Sequence, residues 1–448
     1  MPARYHLWTI GCQMNTADSQ RLAAALEKLG CVPTGQPAQA DVIVLNTCVV
    51  RQSAEDKVYG RLSSLRPLKE RNPRLVIGVM GCLVGPRQVD HLRERFPWVD
   101  VWMPPSQPEP LLNLLREQGY AAEETRADRW LLPSGERGRV VTACIPVVLG
   151  CSTGCTYCVI PYRRGAERSR PVEEIMREAE ALVAQGVREI TLLGQIVDRY
   201  GLDLPEKTTL AALLRSLHQI TDLWRIRFLT SHPRWFTEEL LNTVAELPKV
   251  CEHIELPVQA GDDEVLARMR RGYTVAEYRQ LVALIRERIA GVSIATDVIV
   301  GFPGETEEQF RRTYELLAGL RLDKVHIARY SPRPQTLAAR RYPDDVPAEE
   351  KERRRKVLEE LQTSIAEELN ARLLGQTVEV LVEGRDERKG RWWGRTRTDR
   401  LVFFTSAEDW LGRLAQVRIT WSGPWSLIGE AVTSIPPGSQ YPPGDRPL

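Results

Sequence analysis

The chain has no apolar run long enough to cross a bilayer, and Met1–Leu7 lacks the apolar core of a secretory leader. Both absences point to a cytoplasmic protein. Charge imbalance is small: 61 Lys and Arg face 59 Asp and Glu, a net charge of +2. A nucleic-acid partner must therefore be met by a local cationic patch and not by the whole surface. Histidine is scarce, at 6, and none follows the densest cysteine group closely enough to complete a zinc knuckle. Nine cysteines, an odd number without a leader, argue against a disulfide framework and for metal or redox chemistry. What is present, 43% hydrophobic and 27% charged residues, suits a globular chain, and 448 residues exceed one ordinary core.

The densest group is Cys151, Cys155 and Cys158, at spacing C-x3-C-x2-C, directly behind the apolar run Ile145–Leu149. A [4Fe–4S] cube ordinarily takes four thiolates, so three ligands leave one iron open for a small molecule. A zinc knuckle or buried free thiols are the plain alternatives. A second trio is spread through the first third. The strand-like runs Tyr5–Ile10, Ala40–Leu45 and Leu75–Met80 are each followed by a cysteine: Cys12, Cys48 and Cys82, about 35 residues apart. Helical patterns over Asp18–Leu29 and Gln52–Leu65 separate them, which predicts a parallel sheet with helices on its faces. Functional groups in such sheets gather at the carboxyl ends of the strands, where these three cysteines fall. They are candidates to share a second cluster, against the plainer reading of three buried core cysteines. Cys31, Cys144 and Cys251 have no such placement.

Residues 1–135 are thus expected to form an N-terminal α/β domain, with Ala122–Arg139 a polar linker. From 140 to 374 the pattern predicts six βα units, a partial TIM-like barrel. Its strands are Ile145–Leu149, Glu189–Leu193, Arg225–Leu229, His253–Leu256, Ser293–Val300 and Lys324–Tyr330. Helices include Pro171–Gln185, Thr274–Ile289 and Thr306–Leu317, the last two opened by capping boxes. Chemistry in such barrels lies on the loops after the strands. Those loops carry Gln195, Ser231, Gln259, Gly301 and Glu305, which with Tyr157 are expected to wall a nucleoside cofactor. His232 reads as a structural histidine. Arg163-Arg164 places two cations beside an anionic cluster, with Arg163 a candidate nucleic-acid contact, against the plainer reading of a solvated pair. Ala348–Leu374 reads as a charged strap helix with one apolar stripe, Leu358, Leu361, Ile365 and Leu369.

Residues 375–433 switch to five short alternating strands, as in an OB-like barrel. Between Arg385 and Arg400 seven basic side chains face three acidic ones, with Trp392 and Trp393 among them. Phosphates are drawn to such cations and bases stack on aromatics, so Arg391, Trp392, Trp393, Arg395 and Arg397 are candidate RNA contacts. One of the two tryptophans is expected in the core, because alternation puts them on opposite faces. Residues 434–448, rich in Pro and Gly, read as a disordered tail.

Taken together, Gly11-Cys-Gln-Met-Asn15, Asn46-Thr-Cys48, Gly81-Cys82, the Cys151–Cys158 run with Tyr157 before its last thiol, Leu192-Leu-Gly-Gln195, Thr230-Ser-His-Pro233, Leu256-Pro-Val-Gln259, Arg271-Gly-Tyr-Thr274 and Val300-Gly-Phe-Pro-Gly-Glu-Thr306 resemble the radical S-adenosylmethionine (SAM) methylthiotransferases. The resemblance runs from Tyr5 to Val432 and implies a cysteine-bearing N-terminal domain, a radical SAM barrel and a TRAM domain. Cys12-Gln-Met-Asn and Pro161-Tyr162 resemble the tRNA branch of the family. The activity implied is methylthiolation at C2 of N6-(dimethylallyl)adenosine beside the anticodon, with two SAM and two [4Fe–4S] clusters. Cys151, Cys155 and Cys158 are implied to hold the radical-generating cluster, and Cys12, Cys48 and Cys82 the sulfur-donating one. A reduced flavodoxin- or ferredoxin-type donor and a monomeric state are implied as well. Two departures bear on the nucleoside: Ile196 and Asp198 stand where Asn is usual, and Ala260-Gly-Asp-Asp263 where Ser-Gly-Ser-Asp is usual. Threonylcarbamoyladenosine in tRNA, a ribosomal-protein aspartate, and a metal-stabilised tRNA-binding module without catalysis remain alternatives.

Overall fold

The computed structural model describes residues 2–48, 52–85, 89–120 and 132–435, without the side chains of 52–54 and 433–435. Much of the expected linker and nearly all of the expected tail lie outside the described residues. The chain divides into two compact units. The first holds Met1–Arg137 with Cys144–Thr153 and Val159–Arg168, and the second holds the rest.

The first unit is built from β1 (Arg4–Ile10), α1 (Gln13–Lys28), β2 (Val32–Pro33), β3 (Val42–Thr47), α2 (Gln52–Arg71), β4 (Val76–Gly81), α3 (Val89–Arg95), β5 (Val101–Met103) and α4 (Glu109–Glu117). The five strands form one sheet in the order β2-β1-β3-β4-β5, parallel throughout. Alternate residues of β3 and β4 feed opposite cores. Ile43, Leu45, Ile77 and Val79 pack with Val58, Leu62 and Leu65 of α2, whereas Val42, Val44, Val76 and Met80 pack with Leu22 and Leu26 of α1 and Leu111 and Leu115 of α4. Each such fully buried aliphatic side chain contributes about 1.5–3 kcal/mol. Two helices outrun their expected bounds. α2 continues through Pro67 because Leu68 beyond it still packs on the core. α1 begins five residues early because its first turns bury polar Asn15, Asp18 and Ser19, which an apolar stripe does not reveal.

The barrel strands begin with β6 (Thr142–Pro146), of which Cys144–Pro146 is counted with the first unit, as are the short β7 (Val148–Leu149) and α5 (Ile160–Arg164); β8 (Arg168–Ser169) pairs with β7. Then come α6 (Val172–Ala184), β9 (Glu189–Leu193), α7 (Leu210–His218), β10 (Arg225–Phe228), α8 (Glu238–Glu246), β11 (His253–Glu255), α9 (Asp263–Met269), α10 (Val275–Arg288), β12 (Ser293–Val300), α11 (Glu307–Leu320), β13 (Lys324–Arg329), α12 (Leu337–Arg341) and α13 (Ala348–Ala371). The strands hydrogen-bond as β10-β9-β6 and β11-β12-β13, all six anticipated units being present. Both capping boxes form, Thr274 with Glu277 and Thr306 with Gln309. Pro171 sits one step earlier than expected, as the N-cap of α6.

α13 departs from a solvated strap. Its buried face carries Lys351, Arg354, Gln362 and Asn370 beside Leu358 and Ile365, while Leu361 and Leu369 are only half-buried. Each buried polar group is spent as a strut: Lys351 pairs with Asp344, and Arg354 with Glu305 at 2.9 Å. Gln362 donates to the Leu322 carbonyl at 3.2 Å, and Asn370 to that of Gly423 at 2.8 Å.

β14 (Thr377–Asp386), β15 (Arg391–Arg395), β16 (Leu401–Phe404), β17 (Leu414–Ser422) and β18 (Leu427–Ile435) close a barrel in the order β14-β15-β16-β18-β17. Its core is Val380, Val382, Trp392, Val402, Phe404, Trp410, Val417 and Ile419. The barrel is fastened to the starts of β9, β10 and β11. Arg225 is fully buried and donates to Glu379 at 2.8 Å and to the Arg395 carbonyl at 2.7 Å. Arg227 donates to Glu189 at 2.8 Å and to the carbonyls of Arg397 and Thr396. Arg397 pairs with Glu252 at 2.7 Å, and Arg400 with Asp323 at 2.7 Å.

Candidate metal centres and cofactor site

β1, β3 and β4 are neighbours in the sheet and end at Ile10, Thr47 and Gly81, so Cys12, Cys48 and Cys82 follow three adjacent strand ends. A Cβ on Gly11 would lie 2.8 Å from that of Cys48. Gly81, at φ +104°, brings β4 so close to β3 that its Cβ would meet the Thr47 carbonyl at 2.3 Å. Only glycine allows Cys82 to be delivered there. Buried amides hold the cluster of loops together. Asn15 donates to Asn46 Oδ1 at 2.8 Å and to the Thr47 carbonyl, and Asn46 returns a bond to the Asn15 carbonyl at 2.7 Å. The Cys12 thiol donates to Asn15 Oδ1 at 3.3 Å.

The electrostatics favour thiolate. Cys82 falls to about 6, first because the Cys48 thiol donates to it and then because the Arg164 guanidinium stands beside it, against burial. Arg164 Nε donates to Cys82 Sγ at 3.2 Å. Among the described residues, one His, Cys, Asp or Glu group gathers its ligand atoms within 4.8 Å, namely Glu255, Asp297 and His326. Three soft donors at neighbouring strand ends, one of them held toward thiolate, fit the ligands of an iron–sulfur cube.

In the second unit, Cys155 and Cys158 share a tight turn, the Cys158 amide donating to the Cys155 carbonyl at 3.2 Å. Arg271, buried, donates to Cys155 Sγ at 3.4 Å, to the Pro257 carbonyl at 3.0 Å and to the Tyr273 hydroxyl at 3.0 Å. A cysteine sulfur that accepts from a buried guanidinium is suited to be a cluster ligand. Cys151 lies in the first unit, where its amide donates to the Gly165 carbonyl at 3.1 Å and its sulfur lies 2.8 Å from the Thr153 hydroxyl. Burial drives the Tyr157 phenol well above its usual range, with Arg271 opposing.

Around the strand ends, Thr230 (φ +67°) and Gln259 (φ +76°) are non-glycine residues in the left-handed region. Such strain, of order 1–3 kcal/mol each, persists at sites that need an unusual chain path. Ser231 and Gln259 are buried, with the Ser231 hydroxyl beside the Asp198 carboxyl. Asp198 accepts from the His232 amide at 2.6 Å, and burial raises its carboxyl to about 7. His232 falls to about 3, chiefly by burial and then by Arg271, Arg234 and Arg199, so it is neutral and structural as expected. Gln195 is half-buried on the same rim.

Other expected site residues sit elsewhere. Glu305 is committed to closing the Gly301 turn, accepting from the Gly301 amide at 2.6 Å, and to Arg354 of α13. A Cβ on Gly301 would strike Lys351 at 2.3 Å, so this turn clamps the strap helix rather than presenting Glu305 to a cofactor. Arg163 is buried, with its side chain against Gly85, and is no surface cation. Trp392 is in the barrel core and donates to the Ser406 carbonyl at 3.2 Å, so its ring is not presented for stacking. Trp393 faces the other way, lying over Gly384. Arg397 is taken up by Glu252, and Arg395 by Glu383 and Asp399. Arg391 is half-exposed. Sequence reasoning missed Arg271, although the Arg271-Gly-Tyr-Thr274 motif contains it, and gave Arg164 no distinct role.

Three family models match the chain: the radical SAM superfamily over residues 145–317, the uncharacterized protein family UPF0004 over 4–104 and the TRAM domain over 371–432. Among solved structures, a radical SAM methyltransferase from Kitasatospora setae with cobalamin and a [4Fe–4S] cluster bound superposes with TM-score 0.56. It is 17% identical, over 76% of this chain and 77% of that one, a likeness of fold. Relatives named tRNA-2-methylthio-N(6)-dimethylallyladenosine synthase match far more closely. That of Roseiflexus sp. is 52% identical over 95% of this chain and 89% of its own, and that of Chloroflexus aurantiacus 49% over 95% and 91%. That of Herpetosiphon aurantiacus is 48% identical over 96% and 98%. At such identity over nearly the whole of both chains, the protein belongs to the tRNA-2-methylthio-N(6)-dimethylallyladenosine synthase family of radical SAM enzymes.

Proposed function

We propose that this chain methylthiolates C2 of N6-(dimethylallyl)adenosine next to the anticodon of tRNA. The single observation that carries the reading is the thiol trio Cys12, Cys48 and Cys82 at adjacent strand ends, built on a chain that also bears the Cys151–Cys158 motif. The names of the relatives favour the dimethylallyl substrate over threonylcarbamoyladenosine and over a ribosomal-protein aspartate. When bound, the [4Fe–4S] clusters and SAM supply the one-electron chemistry, the sulfur and the methyl group.

The chain's own residues hold and shield these groups. Cys151, Cys155 and Cys158 would ligate the SAM-binding cluster, and Arg271 orients Cys155. Ser231 and Gln259, on the strained turns, would meet the nucleoside cofactor, with Gln195 and Tyr157 completing the wall. Residues 1–135, 140–374 and 375–433 would act as methylthiotransferase, radical SAM and TRAM domains. RNA contacts fall to the half-exposed Arg391 and Trp393. They fall also to Trp421 and Trp425, 50% and 61% exposed on the β17–β18 hairpin, because exposed aromatics offer stacking faces. An anticodon-loop base is single-stranded and can be splayed into a pocket. The enzyme would work as a cytoplasmic monomer fed by a reduced flavodoxin- or ferredoxin-type donor. No helix among the described residues is long and apolar enough to cross a membrane.

Nucleoside mass spectrometry tests the assignment. A strain lacking the gene should accumulate N6-(dimethylallyl)adenosine and regain its 2-methylthio form when the gene is restored. Accumulation of unmethylthiolated threonylcarbamoyladenosine instead would overturn the substrate.

A further inference from the structure

At the strand starts, the end of the barrel opposite the loops that carry chemistry, a cavity of about 200 Å³ opens against the C-terminal barrel. His253, Ser293 and Lys324, the first residues of β11, β12 and β13, line one side, and α13, the β15–β16 turn and the β17–β18 hairpin line the rest. The walls are braced by polar contacts. Asn370 of α13 donates to the Gly423 carbonyl at 2.8 Å, which fixes the hairpin, and accepts from Arg400 Nε at 3.0 Å. Arg400 pairs with Asp323 at 2.7 Å, and Arg395 with Asp399 at 3.2 Å. His253 is neutral, because burial holds it near 4, and its Nδ1 lies 3.2 Å from the Ser293 hydroxyl. Two lining groups stay unspent. Lys324 is exposed, with no ion pair among the described residues, and Trp425 leaves most of its indole open. Three lining cations thus meet two carboxylates that are already paired, and one positive charge is left over. A flat exposed indole beside one spare ammonium suits an aromatic ring that carries one phosphate. Sites for drug-sized ligands span about 300–1,000 Å³, so this smaller one admits a single base and no dinucleotide.

We propose that this cavity is a binding site for one nucleotide, with the base stacked on Trp425 and the phosphate on Lys324. Its source is an unpaired nucleotide of the bound tRNA, a part of the inference that rests on the tRNA reading above. A free mononucleotide presents the same chemistry. Asn370 and Arg400 hold the hairpin and the β15–β16 turn in place, so the two contacts are preformed. Lying at the strand starts, the site holds RNA away from the reacting base and serves as an anchor, not as a second chemical centre.

Full-length protein is tested with tRNA by filter binding across a salt series, and with adenosine 5′-monophosphate and uridine 5′-monophosphate by equilibrium dialysis. Trp425→Ala should weaken tRNA binding about 5- to 150-fold without changing the salt slope, and Trp425→Phe should recover most of that loss. Lys324→Gln should lower the slope of log Kd against log salt by about 0.7–1. The double variant should lose less than the product of the two single losses, because one nucleotide makes both contacts. Mononucleotide binding that falls about tenfold in both variants while tRNA affinity stays put would keep the site and reassign its source to a free nucleotide. Unchanged tRNA affinity and salt slope in both variants, with no mononucleotide held by the parent, would overturn the site. Losses that simply multiply would overturn it too, since the two residues would then serve separate contacts. Parent protein that binds no tRNA at all would overturn the tRNA reading instead, and the dialysis would then decide the site.

Discussion

Replacing Arg225 with Met should unfasten the C-terminal barrel from the radical SAM barrel. Arg225 is fully buried at the first position of β10, and its Nη2 lies 2.8 Å from Glu379 while Nη1 reaches the Arg395 carbonyl at 2.7 Å. Two charge-assisted bonds at about 1.5–3 kcal/mol each, and a carboxylate deprived of its arginine, put the loss at about 3–5 kcal/mol. In a unit of this size each kcal/mol moves the melting midpoint by about 2–4 °C, so calorimetry should show a fall on the order of 6–20 °C. The partner variant Glu379→Met should lose a similar amount. The double variant should recover part of that loss, because an apolar pair of similar volume replaces the two ions, while the Arg395 carbonyl, without its donor, keeps a deficit of about 1–3 kcal/mol. Function should split in the same way. The KM for tRNA should rise in Arg225→Met, while SAM cleavage without tRNA stays at the parent rate, since Arg225 lies at the strand start and the chemistry lies at the strand ends. A single variant that loses under 1 kcal/mol would refute the reasoning. A double variant that loses the sum of the two singles would refute it as well.

Further outcomes can be stated briefly. Anaerobically reconstituted protein should hold about eight iron per chain; Cys151→Ala should lose SAM cleavage, whereas Cys12→Ala should keep cleavage and lose methylthiolation, each with about four iron left. Asp198→Asn should change the pH dependence of stability. The native carboxyl titrates near 7 in the folded chain, raised by burial, so the folded state binds more protons than the unfolded one between about 4 and 7 and stability falls as pH rises through that window. The Asn variant should therefore melt higher than the parent at pH 8 and about equally at pH 4; equal midpoints at both pH values would count against the buried acid. Trp421→Ala and Trp425→Ala should each weaken tRNA binding by about 1–3 kcal/mol, read by filter binding, with SAM cleavage untouched. Unaltered affinity in both would remove the hairpin from the RNA surface.

What the sequence made legible is what depends on local pattern. Cysteines directly after β-branched runs lie at strand ends because a parallel sheet leaves its loops there, and that logic found Cys12, Cys48 and Cys82 without contacts being known. The capping boxes at Thr274 and Thr306 were legible for the same reason, since donor and acceptor are three residues apart. The basic run in the C-terminal barrel was legible as composition and misleading as surface. Arg395, Arg397 and Arg400 find carboxylates on Glu383, Glu252 and Asp323, two of them more than 70 residues away in the chain. No window of sequence shows that.

The groups that tune the thiols were hidden by the same distance, and their geometry carries a mechanistic consequence. Arg164 reaches Cys82 across 82 residues and Arg271 reaches Cys155 across 116. Each unit thus meets a thiol with one guanidinium, supplied from a different part of the chain. A cluster bound by three thiolates carries net negative charge, and burying it without a counter-ion would be costly. An arginine that donates to a cluster thiolate both offsets that charge and withdraws electron density from the sulfur, which raises the reduction potential of the iron it binds. Arg271→Lys should therefore leave SAM binding in place while making the Cys151–Cys158 cluster harder to reduce, seen as a more negative midpoint in a redox titration. If that midpoint is unmoved while Arg271→Lys loses iron, the residue holds the Pro257 and Tyr273 turn in shape and does not tune the cluster.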